Sequence, residues 1–402
     1  MNKHTYCIFF RYHMNINENF PLVSVIIPAY NAAAFINRTL DFVLAQTYTN
    51  IEVLVVNDGS QDCTVDIVQS YVQKDRRVIL LQQANQGVAA ARNLAIQKSR
   101  GEYIAPLDAD DIWYPEKLEK QVQCLLNAPS SVGLVYAVSM EIDEEDLIID
   151  KYSIYNRSYQ PEGNVYTNLV CSNFIGNAST PLIRRSCFEH IGGYNCQLKE
   201  QDAQGCEDWD IYLRIAEFYQ FRVVPEVLIG YRQVSGSMGS KCKTMIKSYN
   251  LVLQDVQQRH PEIPATIYRW SRNFFYNYLS VKSSASGDYC NALFCLYKAL
   301  ESDLFLLLRP ATYRITLILT LKILLKSVFH LIFQEKYTWN QLKEKIKRKR
   351  SNITIYDVKN RQVNFKYKDF VWKPYDIVLL HRWLKILKIS QEVDFQLKAK
   401  AY

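Results

Sequence analysis

The sequence predicts an α/β protein: a Rossmann-like, doubly wound and mostly parallel sheet, followed by a mainly α-helical region rich in basic residues. Two observations lead there. Through the first 106 residues, short β-branched runs alternate with stretches of helical period, as parallel strands joined by crossover helices require. The charge is also divided unevenly along the 402 residues. Residues 1–240 carry 19 Lys+Arg against 28 Asp+Glu, and residues 241–402 carry 29 against 12, so the net +8 hides −9 followed by +17. That asymmetry divides the chain into an extension (1–20), an α/β domain (21–240) and a basic helical region (241–402). Hydrophobic residues at 49% and charged residues at 22% exclude wholesale disorder.

The elements follow in order. VSVIIPAY (23–30) is a β-branched run stopped by Pro28, hence a buried strand. Phe35, Ile36, Leu40, Val43 and Leu44 then recur at helical spacing. IEVLVVNDGS (51–60) is a second strand ending in a turn, residues 64–73 a second helix, and VILLQ (78–82) a third strand. NQGVAAARNLAIQKS (85–99) reads as a Gly-led turn opening an Ala-rich helix. EYIAPLDADD gives a fourth strand. The acidic EIDEEDLIID (141–150) reads as a solvated hairpin or loop, because no Gly turn marks a calcium site. EDWDIYLRIAEF restores a helix from 207, with Ile211, Ile215 and Phe218 on one apolar face.

The ten cysteines form no CxxC and the six histidines no HxxxH or HExxH, so a zinc site has no support. Cys63 and Cys124 lie in apolar contexts and read as small core residues of a reducing cytosol. The opening run MNKHTYCIFFRYHMN is too short and too broken by Arg11 and His13 for a signal peptide. Met14, just before the first strand, is an alternative start to Met1.

Open parallel sheets bind ligands at the carboxyl ends of their strands. Here those ends are PAYN, NDGS and LDADD, which meet along one edge. LDADD places Asp108, Asp110 and Asp111 within four residues. Such crowded carboxylates raise one another's pKa unless a cation compensates them.

VSVIIPAYN, VVNDGSQD, NQGVAAARN, LDADD and CEDWDIYLRIA, in this order and spacing, resemble the family 2 glycosyltransferases of the GT-A fold, over about residues 21–235. The resemblance implies an inverting enzyme that uses a UDP-, GDP- or dTDP-sugar and Mg2+ or Mn2+. It implies that Asp110 ligates the metal, with Asp108 at the metal or the ribose, while Asp111 caps the helix starting near Pro115 or is otherwise structural. Pro28, Tyr30, Asn31 and Asp58 fall on the nucleotide side, Asp58 reading the base and Tyr30 stacking on it or packing beneath it. Arg92 faces a phosphate or pairs with one of the aspartates. In CEDWD, Asp208 matches the general base that takes the acceptor proton, and Glu207 supports it. Gly193 and Tyr194 of a Gly-Gly-aromatic turn (192–194) match the acceptor side. Trp209 is a sugar wall or core, and Asp210 an exposed early-helix acid. YRQVSGSMGSKCKT (231–244) lacks the QxxRW of processive synthases, which implies one sugar per encounter. GSMGSK within it reads as a mobile segment that closes over the donor.

The last region carries no assignable motif. A spanning helix over RITLILTLKILLKSVFHLIF (314–333) would bury Lys322 and Lys326 at about 2.5–3.5 kcal/mol each. These two and His330 share a stripe that Thr316, Thr320 and Ser327 widen, with Ile315, Leu319 and Ile323 intruding. The expectation is an amphipathic helix, packed on the catalytic domain or lying on an anionic membrane surface, the latter favoured by KEKIKRKR (343–350). A cytoplasmic protein follows, peripheral on the inner face of the plasma membrane in the second case, with a saccharide or lipid-linked acceptor and no nucleic acid. Two rivals are a nucleotidyltransferase, for which PAYNAAAF offers no Gly-rich phosphate loop, and a nucleic-acid-binding module built on the basic region, which leaves the ordered motifs unexplained.

Overall fold

This computed structural model describes residues 20–149, 160–234 and 241–332, with isolated positions between 382 and 393. β1 (Val23–Ala29), β2 (Ile51–Asp58), β3 (Val78–Gln83) and β4 (Tyr103–Pro106) form where expected. α1 (Ile36–Leu44), α2 (Thr64–Lys74) and α3 (Val88–Lys98) cross over between them. There follow β5 (Ile112–Trp113), α4 (Lys117–Leu126), β6 (Val132–Ile142), α5 (Tyr166–Cys171) and β7 (Pro181–Arg184). α6 (Arg185–Ile191), α7 (Gln197–Glu200), α8 (Glu207–Ala216) and β8 (Gln220–Arg232) complete the α/β part.

One sheet runs in the order β3-β2-β1-β4-β7-β6-β8-β5. β2, β1 and β4 extend from β3 in parallel, and β6 is parallel to β8, whereas β7 and β5 enter antiparallel. The expected α/β class holds, with a sheet that is mixed: among the described residues four of its pairings are parallel and three antiparallel. Strand pleating assigns the core: Val23, Val25 and Ile27 enter one apolar cluster, and Ile26 enters the other. β1 runs through Pro28 to Ala29, because its pairing with β4 has already ended at Ile26. A proline there removes no hydrogen bond to β4.

The helical region comprises α9 (Cys242–Arg259), α10 (Ala265–Ala285), α11 (Tyr289–Ser302), a 3-10 turn (Leu304–Leu308) and α12 (Pro310–Ile332). Met245, Tyr249 and Leu253 of α9 and Trp270 of α10 join the same core cluster as Leu169 and Ile211. The acidic stretch makes the expected hairpin over residues 141–149: Asp143 accepts from the Glu145 and Leu147 amides, and Ile142 bridges Ile148.

Three expectations need correction. Phe218 lies beyond the last turn of α8 and is 50% exposed, so the apolar face of that helix ends at Ile215. Cys63 is exposed, because the loop before α2 turns it outward, while Cys124 is half-buried. In α12, Thr312 and Leu319 are buried and Thr316 and Ile323 half-buried, whereas Tyr313, Leu317, Leu321 and Leu324 face outward. Two of the supposed intruders, Leu319 and Ile323, therefore form the packed face. Lys326, Ser327 and His330 lie outside the described side chains, as do residues 1–19, most of GSMGSK and all of 343–350. Among the described residues no helix is long and apolar enough to cross a membrane.

Candidate active site

The first two strand ends are tied together. Asn31, at φ 50°, donates its amide to Ser60 Oγ at 3.0 Å, and its side-chain oxygen accepts from the Gln61 amide at 2.8 Å. Beside it Tyr30 is 51% exposed, so its ring is open to a stacking partner. Asp58, at the end of β2, is buried. Its Oδ1 accepts from Gln83 Nε2 and the Gln86 amide, both at 2.7 Å, and its Oδ2 from the Gly87 amide at 2.8 Å. Asp58 thus builds the turn that launches α3. Gly87 has φ 88°, and a Cβ there would meet the Lys199 side chain.

Arg92, one turn into α3, is buried and pairs with Asp108 at 2.5 Å. Of its two expected roles, the pairing with an aspartate is the one seen here. Its guanidinium also lies 5.2 Å from the centre of the Tyr194 ring.

The three aspartates after β4 have different surroundings. Asp111 is fully buried: Oδ2 accepts from Ser179 Oγ at 2.5 Å and Oδ1 from the Arg232 amide at 2.8 Å. Burial first, and then the Asp110 and Asp108 charges, push its pKa well up. Asp111 does not cap α4, which begins at Lys117 without a side-chain cap. It ties its loop to β8 instead. Arg232 Nε donates to the Asp110 carbonyl at 2.7 Å, and Thr39 Oγ1 donates to the Ala109 and Asp111 carbonyls at 2.9 Å. The backbone of 108–111 is therefore held by Arg232 of β8, by Thr39 of α1 and, through the Asp108 amide, by Ser179, which leaves the Asp110 carboxylate as the group presented. Burial, then the Asp108 charge, raise it to about 6, and Arg232 and Lys282 offset this only partly. The cluster is short of positive charge.

α8 begins at Glu207. Glu207 Oε2 accepts from the Gly205 amide at 2.8 Å, and Asp208 Oδ1 from the Trp209 amide at 2.8 Å. Burial, then the Glu207 and Asp108 charges, carry Asp208 up to about 7 against the pull of Arg92. Glu207 is raised too, chiefly by burial. Asp208 and Asp108 thus act on one guanidinium, and the structure brings together two motifs a hundred residues apart.

The Gly-Gly-Tyr turn docks on α3 through Asn93, whose side chain accepts from the Tyr194 amide at 2.7 Å and donates to its carbonyl at 2.9 Å. A Cβ on Gly193 would collide with that same side chain. Tyr194 is buried, and its hydroxyl has no partner among the described residues. Arg214 donates to the Ile191 and Gly193 carbonyls and pairs with Asp210 at 2.8 Å. Asp210 is therefore buried and paired rather than an exposed acid.

Trp209 is core and not a sugar wall. It is 5% exposed, donates Nε1 to the Leu169 carbonyl at 2.8 Å, and stacks on Tyr249 at 5.3 Å and 4°. Sequence reasoning missed Ser179, Arg232 and Asn93; only the Gly-Gly-Tyr turn pointed towards the last of these.

Among the described residues no three His, Cys, Asp or Glu side chains converge into a complete metal cage. Mg2+ needs none, since one or two carboxylates suffice when phosphate oxygens and water complete its octahedron. Asp110 with Asp108 offers that donor set, and its uncompensated charge fits a hard cation.

The glycosyl transferase family 2 model matches residues 24–192. The putative teichuronic acid biosynthesis glycosyltransferase TuaG of Bacillus subtilis is 31% identical over 60% of this chain and 90% of its own length. An uncharacterized glycosyltransferase of Rickettsia typhi is 33% identical over 51% of this chain, which spans 63% of that relative. A mannosyltransferase of Pyrobaculum calidifontis, solved with GDP-Man and Mn2+, aligns over 78% of this chain and 88% of its own, at 19% identity and a TM-score of 0.49.

Proposed function

Because the chain belongs to glycosyltransferase family 2, we propose that it moves a single sugar, with inversion, from a nucleotide-diphosphate donor to a hydroxyl acceptor. The observation that carries this reading is Asp208. It is a carboxylate lifted to about 7, in the same charge cluster as Arg92 and Asp108. A base with a pKa near neutrality accepts a proton readily and is still ionised at working pH. The acceptor oxygen attacks the anomeric carbon, the bond from that carbon to the diphosphate oxygen breaks, and the hydroxyl proton passes to Asp208. Glu207 fixes the loop before the base through Gly205.

Mg2+ or Mn2+ held by Asp110 with Asp108 would neutralise charge on the departing diphosphate. Arg92 holds Asp108 in place for that task. The base meets the exposed Tyr30 and the turn that Asp58 holds, with Pro28 and Asn31 shaping the pocket floor. Gly193 and Tyr194 set the acceptor wall from behind, while Trp209 braces α8.

Membership of the family displaces the nucleotidyltransferase reading and accounts for the ordered motifs that a nucleic-acid-binding module leaves unexplained. The relative named for teichuronic acid biosynthesis supports a polysaccharide or glycoconjugate product. A saccharide or lipid-linked acceptor fits that, delivered at an anionic membrane surface on the cytoplasmic face. The outward leucines of α12 support such a location.

The test is metal-dependent turnover and binding across UDP-, GDP- and dTDP-sugars. Asp110→Ala is expected to lose metal-dependent donor binding, and Asp208→Asn to bind donor without transferring it. Normal transfer by both variants would rule out this assignment of roles.

A further inference from the structure

The family match ends at residue 192, yet a turn of α10 from the basic region reaches the end of β8, next to the arginine that holds the aspartate loop. Lys282 lies 5.1 Å from the centre of the Tyr231 ring and 5.6 Å from that of Tyr278. Its Nζ donates to Gln233 Oε1 at 2.8 Å. Tyr231 and Gln233 flank Arg232, whose amide holds Asp111 and whose Nε holds the Asp110 carbonyl. Lys282 therefore borders the segment that organises the aspartates, and it lies in the fields of Glu141, Asp111 and Asp110. One turn back, Tyr278 lies in the field of Asp208.

What sets Lys282 apart is its unused bonding capacity. An ammonium has three donors. Among the described residues Lys282 makes one hydrogen bond and no ion pair within 4.0 Å, although three carboxylates act on it. A lysine serving only to neutralise those acids would gain most by touching one. The Tyr231 and Tyr278 rings, with Gln233, hold it short of them instead, as a half-buried point charge with spare donors.

We propose that Lys282 is a second cation of the donor site, its ammonium engaging the diphosphate of the nucleotide sugar, so that the helical region completes a site begun by the α/β domain. This rests on the donor reading above. Burial opposes the lysine's charge, and an incoming diphosphate restores it through charge-assisted hydrogen bonds, which are stronger than neutral ones.

The experiment measures calorimetric affinity of the full chain for UDP, GDP and dTDP, each beside its own nucleoside, at fixed Mg2+. Lys282→Met is expected to weaken the diphosphate that the wild type binds by about tenfold, to leave its nucleoside unchanged, and to be largely rescued by Lys282→Arg. Equal weakening of nucleoside and diphosphate would make Lys282 a residue of the fold and overturn the proposal. Unchanged diphosphate affinity would overturn it and leave the glycosyltransferase reading standing. Absence of binding by the wild type to all three diphosphates would overturn both.

Discussion

Arg92 and Asp108 form an ion pair at 2.5 Å, with the arginine side chain 5% exposed and the aspartate 29%. Burial opposes the guanidinium charge, but Asp108, Tyr194 and Asp208 outweigh it. Breaking a buried pair from one side strands the other charge, and that loss reaches about 3–5 kcal/mol for fully buried partners. Partial exposure of Asp108 places Arg92→Met near the lower end, about 3 kcal/mol, read from urea unfolding. The double variant with Asp108→Asn should recover part of that loss. Simple additivity of the two single changes would show that the pair is not coupled.

Asp208 predicts opposite effects on rate and on stability. A general base must be ionised, so kcat/KM should rise about tenfold per pH unit below about 7 and level off above it. Stability runs the other way. The folded-state pKa lies above the ordinary aspartate value, so the folded chain binds this proton more tightly than the unfolded chain does. The resulting stabilisation is present below the unfolded pKa and is lost as pH rises towards 7. Asp208→Asn should therefore abolish transfer while raising Tm at pH 8, by about 1–2 °C for each 1 kcal/mol released. A lower Tm for this variant at pH 8 would show that the carboxylate stabilises the fold.

These two sites show what the sequence could and could not reveal. β1 to β4 were legible because buried parallel strands need unbroken β-branched runs, and VSVII and IEVLVV supply them. The strand ends, and so the edge carrying Asp58 and Asp108, followed from topology. The supports were not legible. Ser179 meets Asp111 across 68 positions and Arg232 meets it across 121, and one hydrogen bond between distant residues leaves no periodic trace. Asp210 was misjudged for a different reason. An amphipathic reading of α8 assumes one wet face, whereas this helix is covered by the Gly-Gly-Tyr turn on one side and by Tyr249 on another.

Asp110 and Asp111 are neighbours in sequence with different surroundings, and substitution should separate them. Asp111→Ala removes the acceptor for two buried donors, Ser179 Oγ and the Arg232 amide, at about 1–3 kcal/mol for each group left unsatisfied. Asp110→Asn removes a carboxylate from a cluster already short of positive charge, so stability should hold or rise slightly. Mn2+-dependent binding of a nucleoside diphosphate should fall at least tenfold in Asp110→Asn. It should persist in whatever fraction of Asp111→Ala folds. Thermal melts beside Mn2+ titrations separate the two outcomes, and equal melting losses for both would contradict the division of roles.

The outward face of the 3-10 turn and α12 leads to the last prediction. Leu304, Phe305, Leu307, Leu308, Tyr313, Leu317, Leu321 and Leu324 are 44–69% exposed. From 304 to 325 the chain contains Arg309, Arg314 and Lys322 and no acidic residue. Apolar side chains of that size and number on one surface mark an interaction site. Cations without acids among them suit anionic headgroups, with leucines entering the acyl boundary and the arginines remaining at the interface. The wild-type chain should float with vesicles containing anionic lipid and far less with neutral ones. Leu317→Glu with Leu321→Glu should abolish flotation while transfer to a water-soluble acceptor continues, because neither residue lines the aspartate cluster. Flotation unchanged by the double substitution would place the membrane contact elsewhere, and loss of soluble transfer would show that this face packs against protein.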